Sequence, residues 1–367
     1  MIELHPFDDF PYHQAIRPAG SPEISDTRFN DGYYFATYAP GIHVFCGLRF
    51  HPNNNVVDGY AGMVLDGKQT GWRSSRALDG DRALLAVGPL RIEIVEPMNV
   101  QRVWAEPTEV GGETVGFDLE FRASAPAFVE TPDIQYRYGR VLNHVLRYTQ
   151  PARVSGTVTS SSGVRSVQRW FGARDHSWGL RNSMGPHHRV GGSQVVASDP
   201  RAMRLWVPFE AGGLAGFFHL HRDAAGRLLD VEGRIHESGN LNDIGRAVID
   251  VQHSIEYLPG TNRLARVEFQ LCCEDGSREH LEAEVVCAPA HPQGFGYARG
   301  WSDEQNPGVW RGQAVFEGES FRVDDPFVTA GPPHTDEHRR LGGTEFACSA
   351  HHSSGAGMAH VEHMLYP

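Results

Sequence analysis

Alternation of apolar and polar residues with a period of two constrains this chain more than any other feature, because only a β-strand buries every second side chain. In "ARVSGTVTSSSGVRSVQRW" (152–170) Val154, Gly156 and Val158 share one face, with Ser155 and Thr157 opposite. A Ser/Gly-rich turn follows, and the chain returns through Val164 and Val167, which is the signature of a hairpin. The same rhythm runs through "YYFATYAPGIHVFCGLRFHP", "RAMRLWVPFE" and "PGVWRGQAVFEGESFRV". A helical period is weak everywhere, and 41 Gly and 23 Pro supply turns between short runs. The expectation is an all-β chain of antiparallel barrels or sandwiches. At 367 residues it exceeds what one core accommodates, so two domains are expected, 1–168 and 169–367, with the boundary where the hairpin ends.

Charge and composition narrow the partners. A formal net charge of -12 repels phosphate backbones and anionic lipid, so neither nucleic acid nor a membrane surface is an expected partner. The first residues, "MIELHPFDDFPYHQ", carry acids where a secretory signal needs bases, which predicts a cytoplasmic protein. Apolar windows such as "GGLAGFFHL" are far shorter than the roughly 20 residues of a membrane span. Cys46, Cys272, Cys273, Cys287 and Cys348 are odd in number and include no CxxC spacing, so they read as reduced thiols rather than disulfides or zinc ligands. With neither GxGxxG nor a Walker loop, no nucleotide or other cofactor is expected. The remaining partner is a small molecule; the oligomeric state is left open.

One stretch departs from plain β pattern: "RWFGARDHSWGLRN" (169–182). On a strand, Arg174, His176 and Trp178 face one side while Asp175, Ser177 and Gly179 face the other. Gly172 and Gly179 permit close approach of another backbone, a ligand or a bulge. A carboxyl group in an apolar pocket keeps its proton near neutrality, and an imidazole is already poised there, so the chemistry on offer is general acid–base work. The competing reading makes Asp175 an interdomain ion pair with Arg174 or Arg181 and His176 a turn cap. Three further features carry weaker signals. His219 and His221 lie two apart on one strand face and, with a carboxylate such as Glu362, would resemble a cupin-type metal triad, although pocket lining or a solvated face is the simpler reading. "HVEHM" puts His360 and Glu362 on one face of a last strand that closes a barrel, with Glu362 paired or pocket-facing. Glu96 interrupts the apolar face of Ile92 and Ile94, either lining a cavity or pairing with Arg102.

"FGARDHSWGLRN" resembles the G-x-RDHSWG-x-R signature of the carotenoid 1,2-hydratase-like double-lipocalin proteins, a group that includes hydroxyneurosporene synthases and, more distantly, pericyclases of the Diels–Alderase type. "IEIVEPMNVQRV", "DLEFRASAPAF", "RYTQPARVSGTV" and the terminal "GAGMAHVEHMLYP" fit the same group in order, so the resemblance spans most of the chain. It implies two lipocalin-like (calycin) β domains packed together, an apolar pocket in or between them, and cofactor-free chemistry. Carried over by position, Asp175 and His176 become proton-handling residues, Trp178 a pocket wall and Arg174 an orienting group. Glu96 and Glu362 remain candidates for substrate contact. The expected activity is a hydratase, dehydratase, isomerase or cyclase acting on a hydrophobic unsaturated molecule, terpenoid or steroid-like. The alternatives are a non-catalytic carrier of a lipophilic ligand and a metal-dependent cupin-like enzyme.

Overall fold

The alternating runs fold as 21 β-strands, with two 3-10 turns and no α-helix among the described residues. The structure, a computed structural model, describes residues 4–13, 24–79, 81–137, 140–186, 200–291, 301–325 and 344–366. The chain is all-β, as its periodicity predicts.

Two antiparallel units share the strands. The first is a 13-stranded sheet running in the order Ala314–Arg322, Lys68–Ala77, Val56–Leu65, Ile42–His51, Phe29–Ala39, Gly163–Leu180, Arg140–Ser160, Glu113–Ala123, Val100–Val110, Leu90–Glu96, Ala86–Val87. Two short strands, Phe128–Val129 and Asp133–Arg137, add to Arg140–Ser160. The sheet curls until its distant strands meet: the Val87 side chain packs where a Cβ on Gly59 would stand, and Val110 does the same over Gly318. Only glycine fits at those two positions, so the curl is written into the sequence there. Inside lies an apolar core that includes Phe35, Leu48, Trp72, Val103, Leu119 and Phe121.

The second unit is a closed eight-stranded barrel of Arg201–Ala211, Leu214–Asp223, Leu228–Glu237, Arg246–Tyr257, Leu264–Cys273, Arg278–Val285, Thr344–His352 and Gly355–Leu365. Closure removes the sheet edges. Side chains such as Phe209, Phe218, Phe269, Leu271 and Val361 fill its interior, as expected for a small barrel. A third cluster, with Tyr34, Phe45, Tyr60 and Val64 from the sheet against Ala290, Ala347 and Cys287, joins the two units.

The long hairpin forms as read: Arg140–Ser160 pairs with Gly163–Leu180 around a tight Ser161–Ser162 turn. Its return arm continues through the RDHSWG stretch, so the division drawn after residue 168 falls inside a strand. The chain changes unit between Leu180 and Arg201, and Ala314–Arg322 crosses back to pair with Lys68–Ala77. Gly172 and Gly179 explain why the strand survives. A Cβ at Gly172 would meet the Val154 side chain and the Ala36 carbonyl, and one at Gly179 would lie 2.0 Å from the His144 carbonyl oxygen. Both glycines serve close strand packing and do not punctuate it. The five cysteines are all free. No helix among the described residues is long and apolar enough to cross a membrane.

Candidate active site at the junction of sheet and barrel

The RDHSWG strand presents two faces with different fates. On one, Arg174 is buried and its Nη1 donates to Asp9 Oδ1 at 2.6 Å, while its Nε donates to Gln150 Oε1 at 2.9 Å. Asp9, at the end of the 3-10 turn Pro6–Asp9, also accepts from the Tyr148 hydroxyl at 2.7 Å and the Met98 amide at 2.6 Å. Burial alone would raise the Asp9 pKa; the Arg174 charge and these hydrogen bonds outweigh it and hold the carboxylate below its ordinary value. His176 Nε2 lies 2.7 Å from Asp31 Oδ1, and His13 Nδ1 lies 2.8 Å from the other oxygen of the same carboxylate. Burial again opposes ionisation of Asp31, but the two imidazoles prevail and hold its pKa well below the carboxylate range. Trp178 is half-buried and stacks on His13 with ring centroids 3.6 Å apart. This face therefore clamps the N-terminal segment across the curled sheet. Arg174 and Trp178 line no described cleft, and His176 is neither a turn cap nor open to a substrate.

Asp175 points the other way, into a cleft of about 650 Å³ between the sheet and the barrel, a size that suits a small molecule. Its cross-strand neighbour Tyr34 projects beside it. From the barrel, Glu345 and Glu362 stand directly opposite each other on adjacent strands and line the same cleft. The Tyr34 hydroxyl donates to the Glu345 carboxyl across the junction. Burial pushes the Glu345 pKa well above its ordinary value, and the neighbouring Glu362 and Asp175 carboxylates push it further, against the opposing hydrogen bond from Tyr34. Both effects favour its neutral, protonated form. Glu362 keeps Arg204 3.2 Å from both of its oxygens, and Arg147 Nε lies 3.9 Å from Asp175 Oδ2. Neither Arg174 nor Arg181 pairs with Asp175 in the way the ion-pair reading required: Arg174 serves Asp9, and Arg181 Nη2 donates to Ser177 Oγ at 2.9 Å.

The sequence placed Asp175 and His176 in one catalytic team; the pleat separates them. Adjacent strand residues face opposite sides, so no substrate in the cleft touches both. The expected pocket also differs in character. Trp206, Val145 and Met364 give it apolar wall, yet Glu130, Arg147, Arg204 and Glu362 make much of the remainder charged. Glu96 is exposed and lies outside the cleft. A register shift between Ile94 and Glu96 breaks the alternation that aligned them, and Arg102 pairs with Asp118 instead, at 2.7 and 2.9 Å. Glu345 escaped sequence analysis altogether. Its only signal is an acid on the face opposite Phe346 and Cys348 in "TEFACSAHH", whose burial depends on the sheet packed against that strand.

His219 and His221 do line the cleft, both nearly buried. The carboxylate that joins them is Asp230, at 2.8 Å from His221 Nδ1, and not Glu362, which belongs to Arg204. Among the described residues, two other groupings bring ligand-type atoms together, His13 with Asp31 and His176, and His43 with Glu345 and His360. The first is closed by its own hydrogen bonds. In the second, burial presses the His360 pKa down to about 3, and the Tyr38 hydroxyl occupies its Nδ1.

A family model described as a family of unknown function, DUF8625, matches residues 4–330, and the chain belongs to that family. No curated protein sequence matches it significantly. Among solved structures, a protein of Nitrosomonas europaea provisionally given the name AttH is 11% identical, with 94% of each chain covered and a TM-score of 0.54; it shares this fold. Kievitone hydratase from Nectria haematococca aligns at 10% identity over 97% of this chain and 95% of its own, with a TM-score of 0.42. CghA with Sch210972 aligns at 10% identity over 92% and 89%, with a TM-score of 0.44.

Proposed function

We propose that the junction cleft is the active site of a proton-transfer enzyme, one that adds or removes water at an unsaturated small molecule or isomerises it. The observation that carries this reading is Glu345, a buried carboxyl set near two other carboxylates at a ligand-sized opening, where burial and those neighbours favour its protonated form. Glu345 donates a proton to the alkene or to a departing hydroxyl. Asp175, across the junction with Arg147 beside it, is the complementary base that takes a proton from water or from carbon. Tyr34 holds the acid in place. Trp206 and Tyr34 line the cleft, which places aromatic rings beside positive charge that develops on the substrate. Resemblance to the carotenoid 1,2-hydratase-like proteins supports the reaction class, with the acid moved from the RDHSWG pair to the barrel residue it faces. The charged lining amends the substrate: an unsaturated apolar skeleton that also carries oxygen functions, which Arg147 and Arg204 can bind.

Deuterium incorporation tests the reading. The purified protein is examined by native mass spectrometry for a retained small molecule, and any molecule so identified is incubated with the enzyme in D2O. The wild type introduces deuterium at a carbon or across a double bond. Glu345→Gln and Asp175→Asn lower that rate by roughly 10²–10⁴-fold, the usual contribution of one acid or base, while still retaining the molecule. Release of an unchanged, unlabelled molecule from the wild type would overturn the proposal in favour of a carrier.

A further inference from the structure

Apart from the carboxyl pair, the cleft contains an arrangement with its own chemistry. Leu214–Asp223 and Leu228–Glu237 are antiparallel neighbours whose register sets His219 opposite Glu232 and His221 opposite Asp230. Because the residues on each strand are two apart, all four side chains emerge on one face as a square. His221 Nδ1 is 2.8 Å from Asp230 Oδ1, and His219 Nε2 is 3.3 Å from Glu232 Oε1 and 3.9 Å from Asp230 Oδ1. Ligand atoms about 2.0–2.2 Å from a tetrahedral cation lie roughly 3.3–3.5 Å from one another, so these separations bracket that geometry.

We infer that His219, His221 and Asp230, whose ligand atoms all lie within 4.8 Å of one another, form a binding site for one divalent transition-metal cation of the zinc class, opening onto the cleft; Glu232, whose oxygens accept from the Thr131 amide and hydroxyl, borders it. Two imidazoles with one carboxylate are a nitrogen–oxygen donor set that favours zinc, cobalt or iron over the harder calcium and magnesium and leaves a position for an oxygen of the occupant. A supporting layer stands behind it. Glu130 Oε2 lies 3.4 Å from His219 Nδ1, which leaves Nε2 of the same ring turned toward Glu232 and Asp230. Glu130 is itself buried and fixed: its Oε1 accepts from Thr149 Oγ1 at 2.6 Å and from Trp206 Nε1 at 3.2 Å. The contact between Glu130 and His219 is an ion-pair approach outside hydrogen-bond geometry, so His219 Nδ1 has no hydrogen-bond partner among the described residues, and a carboxylate behind a histidine is the usual companion of a metal-bound imidazole. Of these residues, sequence spacing supplied only the two histidines, since Asp230 and Glu232 join them through strand pairing. The site is independent of the acid role given to Glu345, which contributes no ligand. A cation here would hold an oxygen function of the occupant at the end of the cleft.

The test uses the full-length protein, stripped with chelator and titrated with Co²⁺, whose visible absorption reports coordination directly. One equivalent of Co²⁺ gives the intense bands of a four- or five-coordinate site, and one equivalent of Zn²⁺ abolishes them. His219→Ala with His221→Ala eliminates the bands; Asp230→Asn weakens Co²⁺ affinity at least 10-fold, and Glu130→Gln weakens it roughly 10–100-fold. Should the histidine variant fail to fold, Asp230→Asn, at a half-exposed position, carries the same test. Co²⁺ bound only in the weak six-coordinate form, or binding that Asp230→Asn leaves unchanged, overturns the inference.

Discussion

Two faces of a single strand, Gly163–Leu180, spend their polar side chains in opposite ways. On the face toward the N-terminal segment, Arg174 meets Asp9, and His176 shares Asp31 with His13. Opposite charges are matched there, and the groups are withdrawn from solvent. On the face toward the barrel, Asp175 meets two further carboxylates, Glu345 and Glu362, with Arg147 and Arg204 at the margins. Like charges are gathered there around an opening. Matched pairs stabilise a fold without leaving anything to react, whereas crowded carboxylates keep one proton available. Burial alone does not separate structure from chemistry in this protein; the balance of charge around each buried group does.

That contrast can be broken by experiment. The largest expected effect is on the cleft side, where Glu345→Gln lowers turnover by roughly 10²–10⁴-fold with little loss of stability, as read by steady-state assay and urea unfolding. On the clamp side Arg174→Met leaves the Asp9 carboxylate buried and unpaired. It is expected to cost about 3–5 kcal/mol, visible as a lower urea midpoint. Trp178→Ala removes the stack on His13 and should cost about 1–2 kcal/mol with turnover preserved, since the ring lies outside the cleft. Glu96→Ala, at an exposed bulge, should change stability by no more than about 0.5 kcal/mol and leave turnover untouched. If Trp178→Ala impaired turnover more than Glu345→Gln did, the assignment of the two faces would be reversed.

Acidity sharpens the comparison because the two faces respond to pH with opposite signs. The folded-state pKa of Glu345 is raised, so its stabilising contribution is complete below the unfolded value near 4.5 and is lost as pH rises toward the folded value. Turnover should fall over the same rise, as the acid loses its proton. The folded-state pKa of Asp31 is depressed, so its contribution is present above about 3.8 and is lost as pH falls. Unfolding free energy measured against pH should therefore lose part of its acid slope in Asp31→Asn, Asp9 supplying another part, and part of its alkaline slope in Glu345→Gln.

Much of this was legible in residue order. The hairpin of 152–170 folded as its alternation required, and the facing of Arg174, His176 and Trp178 against Asp175 followed from the pleat. Glu96 misled because a bulge is invisible to a period-two count. Asp175 and His176 looked like partners because they are adjacent, and adjacency on a strand is what parts them. Glu345 could not be anticipated, since Tyr34 and Asp175 reach it from the opposing sheet; Asp230 meets His221 from the next strand of the same hairpin, and was missed because alternation alone does not give the pairing register.

Local order by itself determined the β-class, the strand faces and the histidine pair, because these depend on a repeat of two residues that any strand imposes. Which faces met was decided by the tertiary structure alone. Curling of the sheet and closure of the barrel brought Tyr34 and Asp175 against Glu345 and Glu362, and the pKa of a buried carboxyl answers to charges in space, whatever their separation along the chain.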